Sequence, residues 1–519
     1  MDNAVAHVEP PGVAPEARAS GAVALIIPPS SFLLDERVFV SLGILKVASA
    51  LEQRGQSVTV VDLSGIRNYE EALEAFLHGA DLRAVGITST TPQLPAVLRI
   101  LKVIRRVRPE LRVILGGPHV TLVQAAVKLE RRKGVAGRAT RAGRQLETLF
   151  DVLVAGDGEL AVFVALGPNP PKVVDGDDNK GELFLSDETY DALPMPARHL
   201  VDLGSYNYSI EGHRATSLIA QLGCPFSCGF CGGRNSKSLR VIRTRMAGSI
   251  IAELEFLHRT YGYTGFMFYD DELNVNKGMV ELMNGIADLQ ERLGVEFRLR
   301  GFVKAELFTD EQARAMYRAG FRWLLCGFEA AHPRILTNIR KRATLADNTR
   351  AVAIAKRHGL KVKALMSIGH PGETAETADA IRRWLIDCAV DDFDCTIITT
   401  YPGTPYYDEA APHESQKGVW TYTQPETGDR LHAHEVDFLE TAEYYKGDPD
   451  GGYVSHVFTD FLSAKEIVDC RDMIERSVRA TLNIPFNPSR AALLYEHSMG
   501  QGLPNFILRS TMERAVAAE

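Results

Sequence analysis

Cysteine is scarce in this chain: there are seven among 519 residues, and none precedes Cys224. Such a low count excludes the dense disulfide framework of a small secreted protein. Long apolar runs are also missing, and without a stretch of 18 such residues we expect no membrane span. Residues 1–20 lack the basic and then apolar layout of a signal peptide, so we predict a disordered leader on a cytoplasmic protein.

Positive charge is not in excess either. The chain has 58 Lys and Arg against 66 Asp and Glu, a net charge of -8. Binding to nucleic acid needs a concentrated basic face, so no nucleic acid partner is expected. A chain of 519 residues exceeds what one hydrophobic core holds, and the patterns below predict three parts after the leader: 21–200, 201–410 and 411–519.

Three of the seven cysteines, Cys224, Cys228 and Cys231, lie within eight positions of one another. Three thiolates on one tight loop can hold an iron-sulfur cluster. Because such clusters usually take four cysteine ligands, a set of three leaves one iron open to a small molecule. Structural zinc is the alternative, but it needs four Cys or His ligands, and no second pair follows at the required spacing. A disulfide is disfavoured because the loop is crowded.

The CxxxCxxC spacing, with Phe230 just before the last cysteine, resembles the signature of the radical SAM superfamily. The resemblance implies a 4Fe-4S cluster held by the three cysteines. It also implies that the open iron is chelated by the amino and carboxylate groups of S-adenosylmethionine (SAM). In that family the reduced cluster cleaves SAM to a 5'-deoxyadenosyl radical.

Before the cysteines, short apolar strands alternate with amphipathic helices. This alternation predicts a parallel sheet in a doubly wound α/β domain. The predicted strands are Ala22 to Ile27, Val58 to Asp62, Ala84 to Thr88, Val113 to Leu115 and Val152 to Ala155. In such folds ligands bind at the carboxyl ends of the strands.

Small and polar residues follow these strands, and glycines there let backbone approach a ligand. Their order resembles the Rossmann-like cobalamin-binding domain of cobalamin-dependent radical SAM enzymes, and the Pro194 to Arg198 linker fits the same family. The resemblance implies cobalamin contacts from Leu42, Gly43, Ser89, Thr90, Thr91, Gly116, Gly117, His119, Gly156, Gly158 and Glu159.

One motif of many cobalamin proteins is absent, the DxHxxG loop whose histidine binds cobalt. None of the 14 histidines has an aspartate two residues before it. We therefore predict cobalamin without a histidine on cobalt. His119 is expected to line the nucleotide-tail pocket or to cap a helix.

After the cysteine loop, six further strands alternate with helices and predict a partial parallel (β/α)6 barrel. They are Thr216 to Gln221, Gly265 to Tyr269, Glu296 to Arg300, Trp323 to Phe328, Val362 to Ile368 and Cys395 to Thr400. Barrels place their chemistry at the carboxyl ends of the strands, where polar residues gather here.

By resemblance, these ends bind SAM. Phe230 is expected near the adenine, and the acidic run Asp270, Asp271 and Glu272 near the amino group. Arg298 or Arg300 is expected to pair with the carboxylate, a task suited to a guanidinium. Glu329 is expected at the ribose hydroxyls. The run from Ser367 through Gly369 to Glu373 resembles the adenine-side motif of the family.

The C-terminal part, 411–519, is predicted to be mostly helical because a helical period runs from Ser463 to about Leu482. Its role is open between a substrate cap and a packing element. Substrate candidates are Tyr269, Tyr401 and Tyr445, although aromatics near strand ends are more often packing residues.

The resemblance implies a C-methyltransferase that moves a methyl group from SAM, through methylcobalamin, to an unactivated carbon of a small molecule or natural product. Two alternatives stay open. One is oxidative cyclisation or ring rearrangement without net methyl transfer, and the other is a non-catalytic cobalamin or cluster sensor. Methylthio transfer is disfavoured, because those relatives carry extra cysteines in the N-terminal domain.

A radical SAM enzyme needs an electron donor, here expected to be a flavodoxin or ferredoxin-type protein. A local basic run offers either a docking patch for such an acidic partner or a solvated helix end. Its members are Lys128, Arg131, Arg132, Lys133, Arg138, Arg141 and Arg144.

Overall fold

The computed structural model describes residues 21–30, 33, 36–441 and 454–485. The predicted leader, 1–20, and the substrate candidate Tyr445 lie outside the described residues. Within them, no helix is long and apolar enough to cross a membrane.

The N-terminal part is a six-stranded sheet with parallel pairing and strand order β2-β1-β3-β4-β5-β6. The strands are β1 Ala22–Ile27, β2 Val58–Asp62, β3 Leu82–Thr88, β4 Arg112–Gly116, β5 Val152–Gly156 and β6 Val173–Gly176. The doubly wound prediction is confirmed, and the sheet gains β6 at its edge. That strand was missed because Val-Val-Asp-Gly is too short for a clear apolar run.

Helices cover both faces of this sheet. They are α1 Leu42–Gln53, α2 Tyr69–Gly79, α3 Leu94–Val107, α4 Pro118–Arg132, α5 Arg138–Leu149 and α6 Gly158–Leu166. Apolar residues of α1 and α6 pack with one face of β1 and with the central part of the chain. Those of α2 and α3 pack on the other face. The central strands are buried almost continuously, because successive side chains point to opposite faces and both faces are covered by helices.

The central part is a seven-stranded sheet that curls into a half-barrel, with strand order β15-β14-β13-β12-β11-β8-β7. Six strands are parallel, and the two-residue β7 closes the edge antiparallel to β8. The strands are β7 Ser209–Ile210, β8 His213–Leu218, β11 Gly265–Phe268, β12 Arg298–Phe302, β13 Phe321–Glu329, β14 Lys361–Ile368 and β15 Asp392–Ile397. The predicted partial barrel is confirmed.

Helices cover the outer face of the half-barrel, and β9 and β10 form a small separate ladder beside the cysteine loop. The remaining central elements are α7 Asp187–Ala192, β9 Gln221–Leu222, β10 Arg243–Thr244, α8 Ala247–Tyr261, α9 Met279–Leu293, α10 Asp310–Arg318, α11 Pro333–Asn338, α12 Leu345–Arg357, α13 Ala375–Cys388 and α14 Pro405–Asp408.

The C-terminal part differs from the prediction of a mostly helical region. Helix α15, Ala464–Leu482, is present and packs on α13 and β15. It follows a four-stranded antiparallel sheet: β16 Ala411–Pro412, β17 Val419–Thr423, β18 Arg430–His434 and β19 Val457–Thr459. These strands are two to five residues long and rich in polar residues, so their pairing leaves little period in the sequence.

Candidate active site

The cysteine loop follows β8, at the carboxyl edge of the half-barrel. Backbone bonds hold it at both ends: Cys224 N donates to Leu239 O at 3.0 Å, and Gly229 N donates to Ile339 O at 2.7 Å. All three loop cysteines are free thiols, and Cys231 is exposed. Among the residues that the structure describes, no three Cys, His, Asp or Glu side chains are arranged to hold a single metal ion. A cluster differs from a single metal ion in accepting one thiolate at each corner iron.

Two buried lysines lie next to this loop and were not anticipated from the sequence. Lys304 Nζ lies 4.1 Å from the centre of the Phe226 ring, and it pairs with Glu306 at 2.7 Å. Lys341 Nζ lies 3.3 Å from Glu329 Oε1. Burial raises the pKa of the Cys228 thiol, and both lysines oppose that effect. The lysines therefore favour the thiolate that iron requires.

The predicted acidic run divides into two roles. Asp270 is buried, and its carboxylate accepts bonds from Ala220 N at 3.0 Å and from Gln221 N at 2.6 Å. It therefore fixes the start of the cysteine loop, and with 1% of its surface exposed it is not accessible to a SAM amino group. Burial raises the pKa of Glu272 to about 7, although the positive charges of Lys341 and Lys304 act to lower it.

Asp271 and Tyr269 are exposed side chains at the same edge. Asp271 is exposed, yet loss of hydration raises its pKa. Tyr269 is 49% exposed and shows the same effect. Asp271 is thus the member of the acidic run that stays available to a ligand.

A chain of contacts links the two predicted SAM motifs on β13 and β14. Glu329 has a φ of 65°, a left-handed conformation that is rare for glutamate. Its carboxylate accepts from Ser367 Oγ at 2.9 Å, and this oxygen lies 2.8 Å from His370 Nε2. The Phe230 ring meets the His370 ring edge-on at 5.5 Å. Phe230, Glu329 and Ser367 are therefore brought together beside the cysteine loop.

The other residue of that motif has a structural reason to be glycine. Gly369 has a φ of 93°, and a Cβ there would stand 3.2 Å from Val457 of β19. Tyr401 lies on the opposite side of the cysteine loop, where a Cβ on Gly232 would come within 3.1 Å of its ring. Tyr401 therefore packs directly behind Cys231.

The structure corrects the expectation for Arg298. Arg298 is the first residue of β12, so it lies at the amino end of the barrel, away from the cysteine loop. It pairs there with Glu296 at 3.1 Å and Glu211 at 3.7 Å. The predicted strand ended at Arg300, but the observed one ends at Phe302. Arg300 lies one layer below the carboxyl edge, on the face toward the barrel interior.

Ligand space remains at parts of the edge predicted to bind cobalamin. Gly43 is exposed, and a Cβ there would meet no atom within 4 Å. Thr90 is also exposed, and its backbone N–H donates to Gln93 Oε1 at 2.9 Å, which starts a short helical turn. Leu42 is buried at the start of α1, beneath Gly43. These positions leave open backbone and small side chains where cobalamin would lie.

The remaining predicted cobalamin residues shape the edge itself. Ser89 and Thr91 are buried, and a Cβ on Gly117 would stand 2.6 Å from Thr88 Oγ1. Gly156 approaches the backbone of β6 so closely that a Cβ would come within 2.3 Å of Asp177 N. Tight protein contacts thus require glycine at both positions. Of the other three, Gly116 is the last residue of β4, and Gly158 and Glu159 are the first two residues of α6.

His119 is buried, with its Nδ1 atom 3.0 Å from Thr91 Oγ1. Burial lowers its pKa to about 4. The ring also lines a cavity of about 550 Å³ between α5 and the C-terminal sheet. Arg138 borders this cavity, stacked 3.7 Å from the Tyr407 ring centre and 3.9 Å from that of Trp420. Arg138 is therefore a buried packing residue and not part of a basic docking patch.

Two family models match the chain in the order of the folded parts. The B12 binding domain matches residues 36–162, and the radical SAM superfamily matches residues 218–385. An uncharacterized methyltransferase of Pyrococcus horikoshii is 26% identical over 409 residues, which are 75% of this chain and 83% of that protein. The anaerobic magnesium-protoporphyrin IX monomethyl ester cyclase of Cereibacter sphaeroides is 27% identical over 350 residues, which are 63% of this chain and 52% of the cyclase.

Among solved structures, the radical SAM methyltransferase TsrM from Kitasatospora setae, with cobalamin and a 4Fe-4S cluster bound, shares the fold. It aligns with a TM-score of 0.60 and 17% identity over 93% of both chains. TsrM has also been solved with tryptophan substrate and the SAM analogue aza-SAM. The free thiols on one loop, the exposed side chains beside them and the open cobalamin edge fit the groups that these families bind. The chain therefore contains a B12 binding domain over residues 36–162 and a radical SAM domain over residues 218–385.

Proposed function

We propose that the protein is a C-methyltransferase that moves a methyl group from SAM, by way of cobalamin, to an unactivated carbon of a small molecule. One observation carries this proposal: hydrogen bonds join the carboxyl edges of the two sheets at the segment that follows the cysteine loop. Asp177, which follows β6, accepts from Ser236 Oγ at 2.6 Å and from Ser238 N at 2.8 Å. Two cofactor edges held in this way place a hydrogen-abstracting group and a methyl donor around one substrate.

Each cofactor has a proposed set of ligands. Cys224, Cys228 and Cys231 hold the cluster, while Lys304 and Lys341 balance its thiolate charge. When bound, the cluster with SAM supplies a radical and cobalamin supplies the methyl group. Around SAM we place Phe230, Asp271, Glu329 and Ser367; Asp270 and Gly369 act by positioning the backbone.

Cobalamin is proposed to lie over Gly43 and Thr90 without a histidine on cobalt. His119 is the only histidine among the predicted cobalamin residues, and its ring is buried against Thr91. The low pKa of that ring reflects a site with no room for the ordinary hydration of an imidazolium. When cobalamin is bound, His119 would therefore not serve as a ligand to cobalt.

The electron donor is proposed to be an acidic flavodoxin or ferredoxin-type protein in the cytoplasm, where thiols and clusters stay reduced. Arg131, Arg132 and Lys133 are exposed at the end of α4 and can form its docking patch. Lys128 is less available to an acidic partner, because its ammonium group already pairs with Asp175 at 2.7 Å.

Anaerobic reconstitution with iron, sulfide and cobalamin tests this function. Ultraviolet-visible and EPR spectra report cluster and cobalamin in one sample. The reduced protein is then incubated with SAM, and S-adenosylhomocysteine and 5'-deoxyadenosine are counted. We expect both products above background. No S-adenosylhomocysteine above background would exclude methyl transfer.

The similarity to the cyclase favours one second candidate, oxidative cyclisation without net methyl transfer. Both reactions use the radical, but only methyl transfer consumes a second SAM as methyl donor. A cyclising enzyme is therefore expected to yield 5'-deoxyadenosine and no S-adenosylhomocysteine. The ratio of the two products distinguishes the candidates without knowledge of the substrate.

A further inference from the structure

One layer of the barrel interior contains polar atoms that the protein itself does not satisfy. Ser217 on β8, Met267 on β11 and Arg300 on β12 are side by side in the sheet register. Ser217 Oγ and Arg300 Nε are buried and have no hydrogen-bond partner within the described chain, whereas the hydroxyl of neighbouring Tyr208 interacts with the Arg300 guanidinium. Buried polar groups in native proteins are normally paired, so two at one place point to a missing ligand.

Arg300 also differs from the other cations on this face because no carboxylate of the described residues pairs with it. Arg298 is paired with Glu211 and Glu296, and Lys363 lies 3.1 Å from Asp392 and 3.0 Å from Asp394. No carboxylate of the described residues lies within ion-pair distance of Arg300; its recorded neighbour is Tyr208, whose pKa it lowers against the larger effect of burial. A guanidinium in a barrel is costly without an anion.

Aromatic rings stand above this polar layer. Tyr269 meets Phe302 edge-on with centres 6.2 Å apart, and Phe39 lies 5.2 Å from Tyr269 and 4.7 Å from Tyr208. Phe39 comes from the segment before α1, so the cobalamin-binding part supplies one wall. Tyr269 is 49% exposed. The rings thus form an apolar cluster that extends from the exposed side of Tyr269 to Tyr208, the neighbour of Arg300.

The cations next to the cysteine loop are different residues. Lys304 and Lys341 act electrostatically on Cys228, and Lys304 lies over Phe226 within the loop. Arg300 lies two residues before the end of β12, whereas Lys304 follows that end. An anion bound by Arg300 would therefore lie deeper in the barrel than the lysines of the cysteine loop.

We propose that the substrate is a carboxylic acid with an aromatic or other apolar body, whose carboxylate is bound by Arg300 with the hydroxyls of Tyr208 and Ser217. The planar guanidinium fork matches two carboxylate oxygens, and the hydroxyls donate to the same group. The apolar body lies against Tyr269, Phe302 and Phe39, which directs the far end of the molecule toward the carboxyl edge of the barrel. This inference rests on the proposed function, because it names the substrate class of the same site.

Paired ligands test the inference on anaerobically reconstituted holoenzyme. The probes are 3-phenylpropanoate, indole-3-propanoate and octanoate, each with its uncharged primary amide, and binding is measured by isothermal titration calorimetry. We expect at least one acid to bind about 10-fold or more tightly than its amide, since a charge-assisted hydrogen bond is lost in the amide. If no acid is preferred over its amide, the inference is overturned.

Variants assign that preference to Arg300. We expect Arg300→Gln to weaken binding of the acid by about 10- to 100-fold and to remove its advantage over the amide. Arg298→Gln is the matched control on the same strand face and keeps the preference, because Arg298 already has carboxylate partners. An unchanged preference in Arg300→Gln overturns the inference.

Two further measurements keep the test decisive. If Arg300→Gln fails to fold, Tyr208→Phe removes only a hydroxyl and is expected to weaken the acid about 3- to 10-fold. If Arg300→Gln loses SAM binding but keeps acid binding, the partner of Arg300 is the SAM carboxylate, and the inference is overturned. SAM cleavage by the reduced wild-type protein reports on the proposed function independently, since it needs no acid.

Discussion

Gly223 directs the chain into the cysteine loop. Its φ of 85° is in the left-handed region, and a Cβ there would stand 2.2 Å from Val241 O. The neighbouring ladder of β9 and β10 holds Val241 in place, so the backbone has little freedom to move away. The orientation of all three thiols therefore depends on the missing side chain of this residue.

We expect Gly223→Ala to lose most of its cluster. The left-handed conformation alone costs alanine about 1–2 kcal/mol, and the clash with Val241 adds to it. Iron and sulfide per chain after reconstitution measure the effect. Gly248→Ala is the matched control, because Gly248 lies in α8 and a Cβ there would meet no atom within 4 Å. Equal iron content in both variants would contradict the role of Gly223.

Glu373 is a buried acid whose ionisation links stability to pH. Its carboxylate accepts from Thr377 Oγ1 at 2.5 Å and from Gly369 N at 3.3 Å. Burial is the largest effect and raises its pKa from 4.5 to about 7. Since the folded pKa lies above the unfolded one, the stabilising contribution is complete below pH 4.5 and is lost as the pH rises through 7.

Replacement by glutamine should remove this dependence. Between pH 4.5 and 8 we expect the free energy of unfolding of the wild type to fall, relative to Glu373→Gln, by up to about 3 kcal/mol. Urea unfolding across that pH range measures the difference. Glu376→Gln, at an exposed position in the first turn of α13, serves as control and should run parallel to the wild type.

At the scale of elements, the C-terminal sheet is tied to the cysteine loop through α11. Asp429, in the turn between β17 and β18, accepts from Arg334 Nε at 2.9 Å and from Asn338 Nδ2 at 2.7 Å. The next residue, Ile339, provides the carbonyl that holds Gly229 of the loop. The hydrogen bonds of Asp429 to α11, together with the bond from Gly229 to Ile339, thus connect a distant hairpin turn to the loop that carries the cluster ligands.

Asp429→Ala is expected to loosen the loop without unfolding the barrel. Removal of the charged partner of Arg334 and Asn338 costs about 1–3 kcal/mol. Each kcal/mol gives the opened state about five times more population, so iron release to a chelator should accelerate about five-fold or more. Asp460→Ala breaks a comparable pair with Arg430 on the exposed side of the same sheet and is the control. Equal release rates in the two variants would disprove the connection.

Elements with a strong local pattern could be predicted from the sequence. The continuous apolar run of β1 and the strand before the cysteines are examples, as are the cysteines themselves. The error for Arg298 arose because the predicted strand was placed two residues early in the sequence. A shift of two residues keeps a side chain on the same face of the sheet, but it leaves Arg298 at the amino end of β12 and not near its carboxyl end. Lys304 and Lys341 were missed because their approach to the loop joins segments more than 70 residues apart, and no local period records such a contact.

At the scale of the whole molecule, buried ion pairs join the two cofactor-binding parts. Asp157, after β5, pairs with Arg243 of β10, and both side chains are less than 9% exposed. Asp157 also accepts from Leu185 N at 3.0 Å, while Arg243 donates to Ser238 O. A charged contact of this kind is direction-dependent, so it fixes how the two parts are oriented.

We expect Arg243→Met to destabilise the protein by about 3–5 kcal/mol, because Asp157 is left as a buried charge without its partner. Urea unfolding at neutral pH measures this loss. The double variant Arg243→Met with Asp157→Leu should recover most of it. Arg259→Met, which breaks an exposed pair with Glu255, is the control and should cost less than about 1 kcal/mol.

Phe39 has a consequence for how this architecture can be recombined. The ring belongs to the N-terminal part but stands inside the barrel of the next one, against Tyr208 and Tyr269. Its segment is anchored by the ion pair of Arg37 with Asp62 at 2.6 Å. A hybrid enzyme made by exchanging whole cofactor-binding parts would therefore place an aromatic residue from another protein inside this barrel. Its substrate preference would then follow the protein from which residues 36–40 are taken.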